Sequence, residues 1–163
     1  DGKPLLSWRV HLLPYFEERA LYDRFHLDEP WDSEHNRRLI ELMPAIYENP
    51  NGLPPGMTNY LAVVGRGAAF EGTEGLRLRD FLDGTSKTIT FVEANADQAV
   101  PWTKPADLNY DPDRPRQGLG DFRGFGFMAA FADGHVQTID SDVAEETLKA
   151  LFTRAGGEVL RDY

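Results

Sequence analysis

The sequence predicts an α+β fold in which short helices come first and a mainly antiparallel β-sheet with long loops follows. Apolar residues recur at helical spacing within the first 45 residues, and short β-prone runs separated by turn residues fill much of the remainder. The composition, with 41% hydrophobic and 27% charged residues, is that of a globular protein. Because 163 residues are enough to bury one core, we expect residues 1–163 to form a single globular domain.

Three helices are predicted in the N-terminal part. Ser7 is a suitable N-cap for a short helical turn that ends near Pro14. A second helix is predicted over residues 15–25, where apolar side chains recur on one face. A third helix is predicted over residues 34–43, with Asp32 or Ser33 as its N-cap and a kink or an end at Pro44.

The strands are predicted from four short runs, at residues 58–64, 88–93, 126–131 and 135–139. The last two runs flank Asp133-Gly134, which is the strongest hairpin signal in the chain. An amphipathic helix is predicted over residues 144–152, and Gly156-Gly157 would end it.

Residues 95–124 stand apart because they contain four prolines and little periodicity. Irregular segments of this length are uncommon and often functional. The alternative is a cover packed by its own apolar and aromatic side chains.

The charge balance limits the classes of partner. Seventeen basic and 27 acidic residues leave a net charge of −10, which disfavours nucleic acid and anionic membrane surfaces. Cations, neutral sugars and basic proteins are partners compatible with this net charge. The absence of cysteine excludes disulfides and thiolate chemistry, and no run of 18 apolar residues is present to span a bilayer.

Catalytic motifs are not found. The four histidines show no metal-binding spacing, and no serine lies in a GxSxG motif. We therefore predict that the chain is not an enzyme. A hydrolase that uses paired carboxylates is the remote alternative, because the separation of two carboxylates cannot be read from sequence.

Two groups of side chains are candidate binding residues. Asp111, Asp113 and Asp121 are candidate calcium ligands, because Ca²⁺ accepts several oxygen ligands in irregular geometry. The alternative is a solvated acidic loop. Trp31, Trp102 and Tyr110 are candidates for a surface that contacts a sugar or a protein, and buried anchors of loops are the alternative.

Six motifs occur in a characteristic order from Ser7 to Glu158, and together they resemble the DUF1559 family of planctomycete bacteria. They are SWRVHLLPY from Ser7, LDEPWDSEHN from Leu27, DGTSKTI from Asp83, VPWTKPADL from Val100, FADG from Phe131 and TRAGGE from Thr153.

The resemblance marks Asp83, Gly84, Thr85, Asp133 and Gly134 as family-motif positions. It also implies a histidine ten positions before Asp133, where this chain has Arg123. A hydrogen-bonding role at that position is compatible with arginine, whose guanidinium can hold a carboxylate with two bonds.

The resemblance further implies a pilin-like or pseudopilin-like protein. Members of the family usually begin with a prepilin-like leader and a hydrophobic helix, so an extracytoplasmic, membrane-anchored or filament-assembled head domain is expected. Membrane contact would occur only through that preceding helix, which this sequence lacks. The expected partners are other pilin-like subunits or secretion and pilus assembly proteins, and pseudopilins often hold Ca²⁺ in a loop. A surface module that binds a solute or carbohydrate is the second hypothesis.

Overall fold

The computed structural model describes residues 2–72, 75–120 and 123–157, and these residues confirm the α+β class. The chain divides into two compact units. Unit 1 comprises Asp1–Thr58 and Ala99–Ala106, and unit 2 comprises Asn59–Gln98 and Asp107–Tyr163. Among the described residues, no helix has the length and apolar character that a membrane span requires. The prediction of a single domain stays a prediction.

The first helix of unit 1 lies where the sequence predicts it. Helix α1 spans Trp8–Leu12, and the Ser7 hydroxyl caps it by accepting a hydrogen bond from the Arg9 amide. A turn of 3₁₀ helix over Leu13–Phe16 follows directly, with Pro14 in its first turn.

The predicted helix over residues 15–25 is wrong in extent. Glu17 adopts a left-handed conformation with φ of 64°, which ends the preceding 3₁₀ turn. Helix α2 therefore covers only Arg19–Tyr22. Of the apolar side chains in this range, Leu21 and Phe25 are buried, whereas Phe16 and Ala20 are exposed.

The predicted third helix is a 3₁₀ helix over Asn36–Leu42, and a further 3₁₀ turn covers Ala45–Tyr47. The remaining regular structure of unit 1 is a two-stranded antiparallel sheet, in which β1 (Met57–Thr58) pairs with β4 (Val100–Pro101).

Trp102 lies at the centre of the core of unit 1 and is fully buried. Its ring stacks on Tyr47 with centroids 5.9 Å apart and meets Phe25 edge-on at 5.8 Å. The indole N–H donates to the carbonyl of Ile40 at 3.0 Å. The Tyr47 hydroxyl donates to the carbonyl of Arg9, and burial raises the pKa of Tyr47 to about 12. The other buried members of this core are Leu6, Val10, Leu13, Leu21 and Leu39.

Unit 2 contains five strands, which span Tyr60–Val64 (β2), Ile89–Glu93 (β3), Leu108–Asn109 (β5), Gly126–Phe131 (β6) and Val136–Asp140 (β7). They form one sheet with the strand order β5-β2-β3-β6-β7. All neighbours pair antiparallel except β2 and β5, which are parallel. The four predicted strands correspond to β2, β3, β6 and β7, with Asn59 separating β1 from β2.

Helix α3 spans Glu145–Phe152, close to its predicted range, and buries Leu148, Leu151 and Phe152. Short 3₁₀ turns cover Leu78–Asp80, Thr85–Lys87 and Ala96–Gln98.

Gly126 is required for the close approach of β6 to β7. Its φ is +154°, and a Cβ atom there would lie 2.1 Å from the backbone oxygen of Ile139. Any side chain would therefore push the two strands apart.

The role of Trp102 can be tested with Trp102→Phe, which keeps an aromatic ring but leaves the Ile40 carbonyl without its donor. We expect the free energy of unfolding to fall by about 2 kcal/mol, because the core loses volume and the Ile40 carbonyl loses its hydrogen bond. Urea denaturation followed by far-UV circular dichroism measures the loss. The control is Trp31→Phe, at a half-buried ring, which should cost less than about 1 kcal/mol. Equal losses for the two variants would contradict this account.

Candidate functional site

Three of the motif segments meet in unit 2. Residues 83–86 lie before β3, residues 131–134 form the turn between β6 and β7, and residues 153–157 follow α3. Apart from the 3₁₀ turn at Thr85 and the end of β6 at Phe131, these segments are irregular, and hydrogen bonds join them to one another. We refer to the three segments as the motif cluster.

The Asp83 carboxylate binds the backbone that follows α3. Its two oxygens accept hydrogen bonds from consecutive amides, Gly156 at 2.7 Å and Gly157 at 2.9 Å. The Asp83 amide in turn donates to the carbonyl of Arg154 at 3.2 Å. Bonds from amides to a carboxylate are stronger than those to a neutral acceptor, so Asp83 holds this segment in place.

The other motif residues extend the cluster to the β6–β7 turn. The Thr85 carbonyl accepts a hydrogen bond from the Asp133 amide at 3.2 Å. Gly84 has φ of +101°, and its carbonyl accepts the Thr88 hydroxyl at 3.2 Å. Gly134, with φ of +91°, forms the tight turn that the Asp-Gly pair predicts.

Within that turn, the Asp133 carboxylate accepts hydrogen bonds from the amide of His135 at 3.1 Å and from its Nδ1 at 2.6 Å. The amide bond, followed by the ring bond, lowers the pKa of Asp133.

Arg154 links the motif cluster to the loop after β2. Its guanidinium donates to the carbonyl of Ala68 and to the carboxylate of Glu71, the latter at 2.7 Å, and its amide donates to the carbonyl of Gly67 at 3.0 Å. The bond from Arg154, together with the amide of Gly67, lowers the pKa of Glu71.

Arg123, at the position of the family histidine, pairs with Glu93 at the end of β3. Glu93 is only 2% exposed, and Arg123 binds it through two nitrogens: Nη2 lies 3.0 Å from Oε1, and Nε bonds the second oxygen. The bond to Glu93 raises the pKa of Arg123. Tyr60 pairs with Glu93 in the sheet, and its own pKa is raised by burial and then by the carboxylate.

The candidate calcium ligands are only partly described. The Asp111 carboxylate accepts hydrogen bonds from the Asp113 amide at 2.9 Å and from Nε of Arg114 at 3.0 Å, and the amide bond is the main cause of its lowered pKa. Asp121 lies outside the described residues. Within the described part of the chain, no three acidic or histidine side chains are grouped to hold a metal ion. Calcium binding stays a prediction.

The same loop lines a polar cavity of about 300 Å³ in unit 2. Asp107 anchors one wall, because its carboxylate accepts a hydrogen bond from the Ala62 amide of β2 at 2.9 Å. Tyr110 also lines the cavity, and its ring packs against Phe152 at a centroid distance of 5.2 Å. The other polar side chains of the lining are Gln98, Asn109, Asp111, Arg114 and Gln117.

The two candidate tryptophans lie in unit 1 and differ in exposure. Trp102 is fully buried, so its assignment to a ligand surface is corrected: it is a core anchor, because its indole N–H finds a partner inside the unit. Trp31 is half-buried, and the ammonium of Lys104 lies 5.7 Å from its ring centroid.

Asn36 organises the LDEPWDSEHN motif of unit 1 and is fully buried. Its Nδ2 donates to the carbonyls of His26, Glu29 and Pro30, and its Oδ1 accepts from the His26 amide at 3.0 Å. One side chain thus satisfies four backbone groups of an irregular segment.

Sequence reasoning did not single out Asn36, Glu93 or Arg154. The signal for Glu93 was a carboxylate at the end of an apolar strand, where an unpaired charge is costly. Asn36 and Arg154 each lie inside a family motif, but their partners are not adjacent in the sequence.

The Glu93–Arg123 pair can be tested by Arg123→Met, which leaves a buried carboxylate without its guanidinium. We expect this variant to lose about 3 kcal/mol in the free energy of unfolding. The double variant Glu93→Met with Arg123→Met removes both charges and should be more stable than Arg123→Met alone. Urea denaturation of the wild type and the variants gives the comparison. A double variant that is less stable than Arg123→Met would contradict this reading.

Arg123→His tests whether the family histidine serves the same pairing. The carboxylate should raise the pKa of the introduced histidine, so its stabilising contribution should be present below about pH 6.5 and be lost as the pH rises through the raised value. Melting temperatures between pH 5 and pH 8 measure this, and the Arg123→Met variant serves as the control without a titrating group.

Glu71 should contribute to stability at neutral pH and lose that contribution in acid. Its folded-state pKa is lowered, so the contribution is present above the usual value of about 4.3 and is lost as the pH falls through the lowered value. Glu71→Gln should therefore melt below the wild type at pH 6, with the difference shrinking toward pH 3. Calorimetric melting temperatures measure it, and Glu41→Gln, at an exposed position, is the control. A difference that is constant across this pH range would contradict the role assigned to Glu71.

Comparisons with known proteins identify the family. The DUF1559 family profile, described as a protein of unknown function, matches residues 1–46 and 42–121. No curated protein and no solved structure matches the chain significantly. Because the profile covers well over half of the sequence, the chain belongs to the DUF1559 family.

Proposed function

We propose that the chain is the head domain of an extracytoplasmic, pilin-like structural or assembly subunit. The proposed partners are other pilin-like subunits or proteins of secretion or pilus assembly. The proposed role includes no catalytic step. Membership of the DUF1559 family supports the proposal, together with the way in which the motif side chains are used.

The observation that carries the proposal is the bonding of the motif cluster. Asp83 uses both carboxylate oxygens on backbone amides, and Thr85 and Asp133 are joined through their backbones. These bonds fix the shape of long connecting segments. A side chain occupied in this way stabilises a surface more readily than it binds a substrate, which favours a structural role.

Exposed leucines beside the motif cluster offer a contact surface. Leu78 is 72% exposed and Leu82 is 77% exposed, and both lie in the segment that leads directly into Asp83. Large apolar side chains held open to solvent on a fixed segment are typical of surfaces that contact other proteins. We propose that neighbouring subunits contact one another through this segment.

The compartment can be tested with single cysteines, because residues 1–163 contain none. Leu82→Cys, introduced into the full-length protein in its own bacterium, should react with a membrane-impermeant maleimide in intact cells. The control is Ala129→Cys, at a position 1% exposed, which should react only after denaturation. Labelling of Leu82→Cys only after lysis would contradict an extracytoplasmic location.

The same variant tests assembly. Mild oxidation of intact cells should join neighbouring subunits through Cys at position 82 if this segment lies at a contact between copies, and Leu78→Cys should behave alike. Mechanically sheared material should contain the cross-linked species. Surface labelling without any cross-linked or sheared multimer would place the chain outside the cytoplasm but contradict its role in an assembly.

A solute-binding head is the second candidate, and the polar cavity of unit 2 favours it. A volume of about 300 Å³ with amide, carboxylate and guanidinium groups on its walls is suited to a small polar ligand such as a sugar. Backbone amide shifts at Asn109 and Gln117 on titration with neutral mono- and disaccharides would support this candidate. Loss of those shifts in Arg114→Ala would assign them to the cavity, and their absence in the wild type would exclude sugars of this size.

A further inference from the structure

The outer edge of β7 carries backbone groups that no described strand uses. β7 is the last strand of the sheet and pairs only with β6 among the described residues. The His135 carbonyl and the Ser141 amide are bonded to the β6 side. Because backbone groups alternate along an antiparallel strand, the even-numbered residues Val136, Thr138 and Asp140 direct theirs to the outer edge. Of these, the Asp140 carbonyl is taken by the Val143 amide.

A groove runs beside this edge. It has a volume of about 390 Å³ and is lined by residues 137–140 of β7, by Asp142, Val143 and Ala144 of the following loop, and by Thr147 of α3. An extended peptide can add to an open strand edge of a sheet: backbone hydrogen bonds supply affinity, and alternate side chains enter neighbouring grooves.

The charge around the groove selects the kind of occupant. Residues 134–147 contain Asp140, Asp142, Glu145 and Glu146 but no lysine or arginine, and all four carboxylates are exposed. Arg116 lies outside this range, and its guanidinium donates a hydrogen bond to the Val143 carbonyl. Among the described residues it is the one cation bonded to residues 134–147. The rim is therefore acidic, and lysine or arginine side chains beside the added strand would complement it.

We propose that the outer edge of β7 binds an extended, basic segment of a partner polypeptide, which adds to the sheet as a sixth strand. The amide and carbonyl groups of Val136 and Thr138 would bond its backbone, and Asp140 and Asp142 would bind its cationic side chains. A second copy of this chain is disfavoured, because two copies of net charge −10 would bring two acidic rims together. This inference does not rest on the proposed pilin-like role.

The probe is a blocked nine-residue peptide that alternates lysine and valine, titrated into the labelled chain at low salt. We expect the largest amide shifts at residues 136–140. The same peptide with glutamate in place of lysine should bind at least about tenfold more weakly, because it meets an acidic rim. A lysine–valine peptide with alternate N-methyl groups should also lose binding, because it cannot donate to the edge. Equal binding of the lysine and glutamate peptides, or shifts confined to other residues, would overturn the proposal.

Two variants of the chain test the two parts of the site. Thr138→Pro removes an outward amide but leaves the hydrogen bonds to β6 intact. We expect it to weaken the binding of the lysine peptide by about tenfold or more. The double variant Asp140→Asn with Asp142→Asn keeps the backbone groups of the edge. We expect it to weaken the binding of the lysine peptide about fivefold at low salt, with a smaller effect at high salt. The matched control is Asp28→Asn with Asp32→Asn, which changes the net charge equally at exposed positions of unit 1 and should leave binding unchanged.

Analytical ultracentrifugation distinguishes binding of the proposed partner at this edge from self-association of the chain. A dimer of the wild-type chain that Thr138→Pro converts to a monomer would show that a second copy occupies the edge, and it would overturn the proposal. If Thr138→Pro fails to fold, the N-methylated peptide and the Asp140/Asp142 variant still decide the outcome. The proposal is overturned if the N-methylated peptide binds as tightly as the unmodified lysine peptide and the Asp140/Asp142 variant binds the lysine peptide as tightly as the wild type.

Discussion

Backbone amides and carbonyls in long irregular segments must find partners when they are buried, and both units depend on meeting this requirement. Regular helices and strands satisfy these groups within themselves, but much of this chain lies outside them. In unit 1 a single buried amide, Asn36, serves four backbone groups. In unit 2 the Asp83 carboxylate accepts hydrogen bonds from two backbone amides, and the Arg154 guanidinium donates to a backbone carbonyl. In each case the partner lies far away in the sequence.

A second constraint is the buried carboxylate of Glu93 in the sheet of unit 2. Removing a carboxylate from water costs several kcal/mol unless it is paired and hydrogen-bonded. Arg123 supplies two charge-assisted bonds, and the geometry of a guanidinium sets the position of both groups. β3 lies at the centre of the strand order, so this pair also ties the segment before β6 to the middle of the sheet.

These two constraints bear on function in the same way. The polar atoms of the motif residues are largely bonded to the backbone, so the surfaces that they shape are better candidates for function than the motif atoms themselves. Unit 2 offers three such surfaces: the exposed leucines before Asp83, the polar cavity of the loop 107–117, and the outer edge of β7. A different class of partner is proposed for each surface, so separate experiments can test the three proposals.

Elements whose signals are local can be predicted from the amino-acid sequence alone. The strands β2, β3, β6 and β7, helix α3, the Asp133-Gly134 turn and the Ser7 cap follow from alternation, helical spacing and turn chemistry within a few residues. The family membership likewise follows from the order of short motifs. The helix predicted over residues 15–25 failed because the left-handed Glu17 interrupts an otherwise helical pattern, and apolar spacing does not report that backbone conformation.

The hydrogen-bond partners of the motif residues, in contrast, become visible only in the folded chain. Asp83 and its partner amides are separated by 73 and 74 positions, and Asn36 reaches carbonyls that its own helical pattern does not place beside it. The same holds for Trp102, whose proline-rich surroundings fit an exposed ring as well as a buried anchor until Ile40 and Tyr47 are brought against it. Local patterns report on neighbours within a turn or a strand. The partner of a buried polar group is set by which distant segments the folded chain brings together.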